Sequence, residues 1–237
     1  MSEIDVIREI ARQALTVPTL SGTTDTWLWD KTQRLLRNVE HICRLPELTA
    51  SNLPIDRFAL IAATYFCDSG FAKYADTSDT SARVVLADVS PSDLQDFSTQ
   101  LVTDKLSGSI QGPKIDKINK IIVESNNRFT EMTEAKVLSD ARNLDDMGAV
   151  GIFNEFRRYV IHGKGATDAL ESWKRKIDYR YWDARLKESF RFDSVRKLAS
   201  RRFSAAEYFM NQLTAENTAR DLEEIILESL NDTSPAT

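Results

Sequence analysis

The sequence predicts an all-α fold. The 237 residues include only 8 glycines and 6 prolines, apolar residues recur at helical spacing, and the period-two alternation that is typical of strands is rare. Apolar residues make up 42% of the chain, which is enough for a sizeable core. We therefore expect a single all-α domain over residues 1–237.

Capping residues, prolines and apolar periodicity place the helices of the first half. The first helix is expected from Ser2 to Leu15, and a breaker-rich connection, residues 17–24, leads to a long helix from about Asp25 to Leu45. The next helix, about Ile55 to Asp68, is apolar around most of its circumference, which is typical of a central buried helix. The segment from Ser69 to Asp88 is polar and loop-like.

The second half begins with a strong helix start at Ser90-Pro91-Ser92-Asp93, where a capping serine precedes a proline and an acidic first turn. Further helices are expected from Lys114 to Asn126, in a short segment that ends near Asp140, from Asp145 to Ile161, in aromatic-rich segments after residue 165, and from Ser194 to Leu230. Residues 231–237 are expected to be a frayed tail.

Charge is unevenly distributed along the chain. The net charge is -5, but the segment from Arg157 to Arg202 carries +8 and the remainder carries -13. A cationic segment on an acidic protein could bind phosphate or another anion, or it could be a solvated helical surface joined by salt bridges. The pI of about 5.2 argues against nucleic acid as a partner.

The sequence has neither the apolar stretch of a membrane span nor the cysteine content of a disulfide-stabilised protein. No apolar stretch approaches the roughly 18 residues that a membrane span requires, and the N-terminal residues do not resemble a signal peptide, so we expect no membrane association and a cytoplasmic location. Two cysteines, Cys43 and Cys67, are too few for a disulfide framework and are expected to be reduced.

Three segments carry a family resemblance. Trp29-Asp-Lys-Thr-Gln-Arg-Leu35, Ala62-Ala-Thr-Tyr-Phe-Cys-Asp68 and the aspartate-rich stretch Glu134 to Ile152 resemble, in order and spacing, the three motifs of the HD-domain superfamily of metal-dependent phosphohydrolases. The resemblance extends over about Trp27 to Phe156. It implies a helical bundle whose motifs converge on a central site, with residues 25–162 as an HD-like core and residues 163–231 as C-terminal helices packed on that core.

The resemblance also identifies a degenerate metal site. In family members with an intact site, a histidine, a His-Asp pair and an aspartate ligate one or two divalent metals that activate water for attack on a phosphoryl group. The matching positions here are Lys31, Cys67, Asp68 and Asp140, so both motif histidines are missing. The two histidines of the chain, His41 and His162, lie outside the matched positions.

A lysine at the first metal-ligand position disfavours a metal. A divalent ion about 4 Å from a protonated Lys31 would be opposed by roughly 8 kcal/mol at an effective dielectric constant of 20. We therefore expect that no cofactor is bound, and that the Lys31 ammonium takes the place of the missing cation and neutralises Asp68 and Asp140.

An alternative interpretation retains a metal. Thiolate is a good ligand for zinc or iron, so Cys67, Asp68 and Asp140 could hold a divalent ion (Zn, Mn, Fe or Mg), and the protein would then be a phosphohydrolase with an atypical site. The other interpretation of Cys67 is a small buried apolar side chain at the end of its helix.

Positive side chains near the motifs suggest anion binding without hydrolysis. Arg142 replaces the second aspartate of the third motif, and arginine favours bidentate contacts with phosphate or carboxylate. The candidates for such contacts are Arg34, Arg142, Arg157, Arg158 and Lys164. The same side chains could instead pair with nearby acidic residues such as Asp145, Asp146 and Glu155.

The sequence thus favours a degenerate HD-domain protein that is not catalytic and that binds a phosphorylated or anionic small molecule or a protein partner. Whether the chain is an enzyme depends on the alternative with the Cys/Asp metal site. A homodimer is compatible with the apolar C-terminal helices but is not derivable from the sequence, because packing within one chain and packing between chains use the same residues.

Overall fold

The computed structural model describes residues 2–19, 22–50, 54–77 and 90–232, and in these residues the fold is all-α. The helices are α1 (Glu3–Leu15), α2 (Trp27–Ile42), α3 (Pro46–Thr49), α4 (Arg57–Phe66), α5 (Gly70–Thr77), α6 (Pro91–Leu106), α7 (Gly112–Glu124), α8 (Thr133–Asp145), α9 (Ala149–Ile161), α10 (Ala166–Asp178), α11 (Tyr181–Glu188), α12 (Asp193–Asn217) and α13 (Arg220–Asp232). A short antiparallel sheet, which the sequence did not indicate, pairs β1 (Val17–Pro18) with β2 (Thr24–Asp25).

Three helix boundaries correct the sequence-based prediction. α5 occupies part of the segment from Ser69 to Asp88 that was expected to be a loop, and residues 78–89 lie outside the described residues. The helix expected to end near Asp140 continues to Asp145. The single helix expected from Ser194 to Leu230 is interrupted, because Ala219 adopts a left-handed backbone conformation with φ of 56° between α12 and α13.

The chain forms two compact units. The first unit comprises Met1–Asp145 together with Lys187–Lys197, and the second unit comprises Asp146–Leu186 together with Leu198–Thr237. The expectations of one domain, of an HD-like core over residues 25–162 and of C-terminal helices packed on it stay predictions. In the described residues, no helix combines the length and the apolar character that a membrane crossing requires.

Helix α4 lies at the centre of the first unit, as its apolar sequence predicted. It contacts α1, α2, α6, α7 and α8, and its side chains from Ala59 to Phe66 are buried with the exception of Ile61, which is partly exposed. Asp56 caps the helix by accepting a hydrogen bond from the Ala59 amide at 2.9 Å. Because so many helices contact α4, the residues directly after it are brought to a point where several elements meet.

The turn after α4 is fixed by a buried serine of α6. The Ser98 hydroxyl accepts a hydrogen bond from the Gly70 amide at 2.9 Å and donates one to the Cys67 carbonyl at 3.3 Å. Ser98 is fully buried, so these bonds are protected from competition with water. The turn that carries Asp68 is therefore held rigidly between α4 and α5.

The second unit contains α9, α10 and an aromatic cluster. The indole rings of Trp173 and Trp182 lie 5.5 Å apart, and each packs against Phe203, at 6.0 and 5.7 Å respectively. Gly148 precedes α9 with φ of 81°, a conformation that side chains rarely adopt. This requirement gives a physical reason for the first glycine of the Gly-Ala-Val-Gly-Ile segment.

Substitution of Gly70 tests the close packing of α5 on α6. A Cβ atom at this position would lie 2.4 Å from the backbone oxygen of Leu94, so Gly70→Ala forces the two helices apart. We expect a destabilisation of about 2 kcal/mol or more, measured by chemical denaturation. Gly112→Ala is the matched control, since a Cβ atom there meets no atom within 4 Å. Equal stability of the two variants would contradict the tight α5–α6 contact.

Candidate functional site

A buried carboxylate with two cations marks the site that the motifs predicted. The Lys31 Nζ atom, on α2, lies 2.8 Å from Oδ2 of Asp68. The Arg142 Nη2 atom, on α8, donates to Oδ1 of the same carboxylate at 2.9 Å. The contacts among α2, α4 and α8 therefore place one positive side chain on each oxygen of Asp68.

The burial of these groups is unequal. The side chain of Asp68 is 1% exposed, whereas those of Lys31 and Arg142 are 12% and 21% exposed. Burial alone would raise the pKa of Asp68, but the two cations outweigh it and hold that pKa below the usual range of a carboxyl group. Asp68 is therefore an anion at neutral pH, and its charge is compensated by side chains.

Two aromatic rings also lie near the ammonium group of Lys31. Its Nζ atom lies 5.8 Å from the ring centroid of Trp27 and 5.9 Å from that of Phe71, within the range of cation–π attraction. Phe71 follows Asp68 on the adjoining helix. The ammonium thus has favourable surroundings in the position that the resemblance assigned to a metal ligand.

Arg142 is oriented by residues at the end of α7. Its Nη1 atom donates to Oδ1 of Asn126 at 2.9 Å and approaches the Ser125 hydroxyl at 3.5 Å. The sequence analysis did not identify either residue as part of the site. No signal for their role stood in the sequence, because an Asn or Ser at a helix end is more commonly a cap or a solvated residue.

Asp140 has partners of its own, which corrects the expectation that Lys31 would neutralise both aspartates. Its carboxylate accepts hydrogen bonds from the Arg191 amide at 2.8 and 3.1 Å and from the Phe192 amide at 3.0 Å. Burial raises the pKa of Asp140 to about 6, and these amides partly counteract the rise. Asp140 therefore anchors the start of α12, and its oxygens are occupied by backbone donors.

Cys67 is a buried thiol. It is 2% exposed, and its Sγ atom lies 3.5 Å from the Thr64 carbonyl of its own helix. Burial raises the pKa of Cys67 to about 12, so the thiol form predominates at neutral pH. The two histidines, His41 and His162, are both exposed.

These residues do not fit a divalent metal. Within the described part of the chain, no three His, Cys, Asp or Glu side chains are grouped as a metal ion would require. A metal at Asp68 would also have to compete with Lys31 and Arg142 for the carboxylate, and a ligand role for Cys67 would require its deprotonation. The geometry is that of an ion-paired site.

The candidates for anion binding are divided between the two units. In the first unit, Arg34 donates to both oxygens of Asp145, from Nε at 3.0 Å and from Nη2 at 3.3 Å. Arg34 therefore pairs with a nearby acidic residue, as the alternative to anion binding predicted. Arg142, as shown above, is bonded to Asp68.

The other three candidates belong to the second unit. Arg157 is partly exposed, and Arg158 lies 3.7 Å from Glu155, a carboxylate that also pairs with Lys176. Lys164 is exposed, and its Nζ atom lies 5.8 Å from the ring centroid of Tyr159. An anion-binding role for these three residues stays a prediction.

Solved structures support an HD-domain-like fold. YpgQ from Bacillus subtilis, in a crystal structure in complex with ADP, is 22% identical with a TM-score of 0.56, and the match covers 90% of this chain and 94% of that one. A Lactobacillus plantarum protein is 18% identical with a TM-score of 0.59 and coverage of 92% and 97%. A predicted HD superfamily hydrolase from an uncultured Thermotogales bacterium is 18% identical with a TM-score of 0.52 and coverage of 90% and 92%.

No protein-family model and no curated protein sequence matches the chain. At these identities the structural matches establish the class of fold, which is HD-domain-like, as the three motifs predicted.

Removal of the Asp68 charge should destabilise the protein strongly. Asp68→Asn leaves Lys31 and Arg142 without their buried counter-ion, and we expect a loss of about 3 kcal/mol at pH 7 in chemical denaturation. Because the pKa of Asp68 is lowered in the folded state, the advantage of the wild type should be present above about pH 4 and fade as the pH falls further.

Glu131→Gln is the control for this prediction. Glu131 pairs with Lys136 at 2.7 Å but is 93% exposed, so its removal should cause no resolvable change. If Asp68→Asn and Glu131→Gln changed the free energy of unfolding equally, the ion pairs of Asp68 would not contribute to stability.

The contribution of Asp140 to the free energy of unfolding should depend on pH in the opposite direction to that of Asp68. Its pKa is raised to about 6 in the folded state, so its contribution is largest below about pH 4 and is lost as the pH rises through 6. The stability of wild type relative to Asp140→Asn should therefore fall by about 2 kcal/mol between pH 4 and pH 7. A difference independent of pH, measured by urea denaturation across this range, would show that Asp140 does not titrate there.

Proposed function

We propose that the protein is a non-hydrolytic, HD-like domain that binds a phosphorylated or other anionic small molecule through side-chain cations. The observation that carries this proposal is the pairing of Asp68 with Lys31 at 2.8 Å and with Arg142 at 2.9 Å. A metal-dependent phosphohydrolase uses its cation to activate water, and neither an ammonium nor a guanidinium group can do so by coordination.

The exposure of the two cations supports an anionic ligand. The side chains of Lys31 and Arg142 are 12% and 21% exposed, whereas that of Asp68 is 1% exposed. The ammonium and guanidinium groups are therefore the members of the ion pairs that a ligand arriving from solvent can reach. Arg142 can offer further N–H donors to a phosphate without losing its bond to Asp68.

The ligand class has one further support. The Bacillus subtilis protein with the same class of fold was crystallised with ADP. We therefore take a nucleoside diphosphate as the first probe, and other phosphorylated metabolites as the next. The predictions of a cytoplasmic location, and of neither nucleic acid nor membrane as a partner, belong to the same proposal.

The alternative function, hydrolysis at a metal held by Cys67, Asp68 and Asp140, meets three physical obstacles. Deprotonation of a thiol with a pKa of about 12 at neutral pH costs roughly 7 kcal/mol before a metal contributes. At least one oxygen of Asp68 would have to exchange its cation for the metal, and the metal would compete with the backbone donors of Asp140. Bound Zn, Mn, Fe or Mg in stoichiometric amount would nevertheless establish this alternative.

Two substitutions at the site should have opposite effects on the affinity for an anionic ligand. For anion binding, Arg142→Gln should weaken ADP binding about tenfold or more because a charge-assisted hydrogen bond is lost. Asp68→Asn should strengthen binding, since it removes the carboxylate that competes with the ligand for Lys31 and Arg142. Isothermal titration calorimetry without added metal measures both effects, with circular dichroism to verify folding.

Arg128→Gln is the control for these two variants. It removes an exposed arginine that pairs with Glu188, and it should leave the affinity for ADP unchanged. Under the metal alternative, Asp68→Asn and Cys67→Ser would each lower the metal content of chelator-free protein and abolish phosphatase activity in the presence of Mn or Zn. Activity of the wild type that is lost in both variants would overturn the proposal.

A further inference from the structure

A cleft in the first unit lies outside the ion-paired site. It has a volume of about 440 Å³ and is bounded by the end of α1, by β1 and by residues of α5 and α6. Pockets that hold small organic ligands have volumes of roughly 300–1,000 Å³. None of the ten residues that line the cleft, all of them in the described part of the chain, is Lys31, Asp68 or Arg142. The cleft is therefore large enough for a ligand of its own.

Half of the lining is apolar. The apolar residues are Ala14, Val17, Pro18, Ala72 and Leu101. Val17 and Ala72 are 8% and 7% exposed, so they form the floor, whereas Ala14 and Leu101 are partly exposed at the sides. Because an alanine side chain ends at Cβ, Ala14 on α1 and Ala72 on α5 leave space that a larger side chain would fill. The floor and sides can therefore bury the apolar part of a ligand.

Three lining residues are charged, and two of them are paired with each other. The Nζ atom of Lys73 lies 3.9 Å from Oδ2 of Asp104. The other oxygen of Asp104 accepts a hydrogen bond from Gln100 Nε2 at 2.7 Å. Lys105 is exposed and, within the described residues, has neither an ion pair nor a hydrogen bond. The charge that remains available to a ligand in the cleft is thus an ammonium group.

This distribution selects the charge of the ligand. A carboxylate at the rim can accept a charge-assisted hydrogen bond from Lys105, while the apolar part of the same molecule lies against the floor. A cationic ligand would meet the ammonium groups of Lys73 and Lys105. A ligand with several negative charges would bring at least one of them near Asp104. One negative charge on an apolar body therefore matches the cleft best.

We propose that this cleft binds an amphipathic monoanion, a small molecule with an apolar body and a single carboxylate. The apolar body lies between α1 and α6, on the floor formed by Val17 and Ala72, and the carboxylate pairs with Lys105. This site is separate from the Asp68 site, and it does not depend on the function proposed there.

Two probes with the same apolar body and opposite charges test the proposal. Phenylbutyrate is the anion and phenylbutylamine is the matched cation. In two-dimensional amide NMR spectra of the full chain, phenylbutyrate should cause saturable shifts at Ala14, Val17 and Ala72, and the amine should bind about tenfold more weakly or not at all. The shifts should persist in excess ADP. Their loss under ADP, equal binding of the amine, or no saturable shift at millimolar phenylbutyrate would overturn the proposal.

Substitutions in the cleft locate the ligand. Lys105→Gln removes the ammonium of an exposed residue and should weaken phenylbutyrate binding about tenfold. Lys120→Gln is the matched control, since Lys120 is an exposed lysine of the first unit that does not line the cleft. Ala14→Trp fills the cleft from a partly exposed position and should abolish binding, with circular dichroism to verify folding. Unchanged affinity of the Lys105→Gln variant, or of a folded Ala14→Trp variant, would refute the site.

Discussion

The negative charge of the buried Asp68 carboxylate must be balanced by groups within the protein. The arrangement of the surrounding helices depends on which side chains balance it. A carboxylate that is 1% exposed cannot rely on water, so its charge must be balanced by groups within reach. Lys31 comes from α2 and Arg142 from α8, while Asp68 itself follows α4. One carboxylate therefore connects three helices, and Asn126 extends the network to the end of a fourth.

Helix α8 also carries buried acidic side chains whose charges are compensated by donors from other elements. Besides Arg142 it carries three buried carboxylates, and each has its own donors from another part of the first unit. Glu134 accepts from the Asp56 amide at 2.9 Å, Asp140 accepts from the amides of Arg191 and Phe192, and Asp145 accepts from Arg34. A helix with so many buried acidic groups is stable only because every one is satisfied, so substitution of a single partner leaves a buried charge without compensation.

The sequence predicted those features that depend on local pattern. Apolar periodicity identified the all-α class and the central position of α4, and the HD-like motifs identified the positions of Lys31 and Asp68, which the structure brings together at 2.8 Å. It did not predict the partners of Asp140, because backbone amides 51 and 52 residues away have no signature in the sequence. The interruption at Ala219 was equally hidden, since alanine normally favours a continuous helix and no glycine or proline stands there.

The two side-chain cations on Asp68 differ physically from a metal ion bound to the same carboxylate. A metal is held by several ligands at once and leaves when they are protonated or chelated, whereas Lys31 and Arg142 are covalently part of the chain and cannot dissociate. A histidine substituted at position 31 or 67 alone would still leave Arg142 on Asp68. Under the proposed function, metal binding at Asp68 would therefore require changes at both Lys31 and Arg142, because either cation alone still opposes a divalent ion.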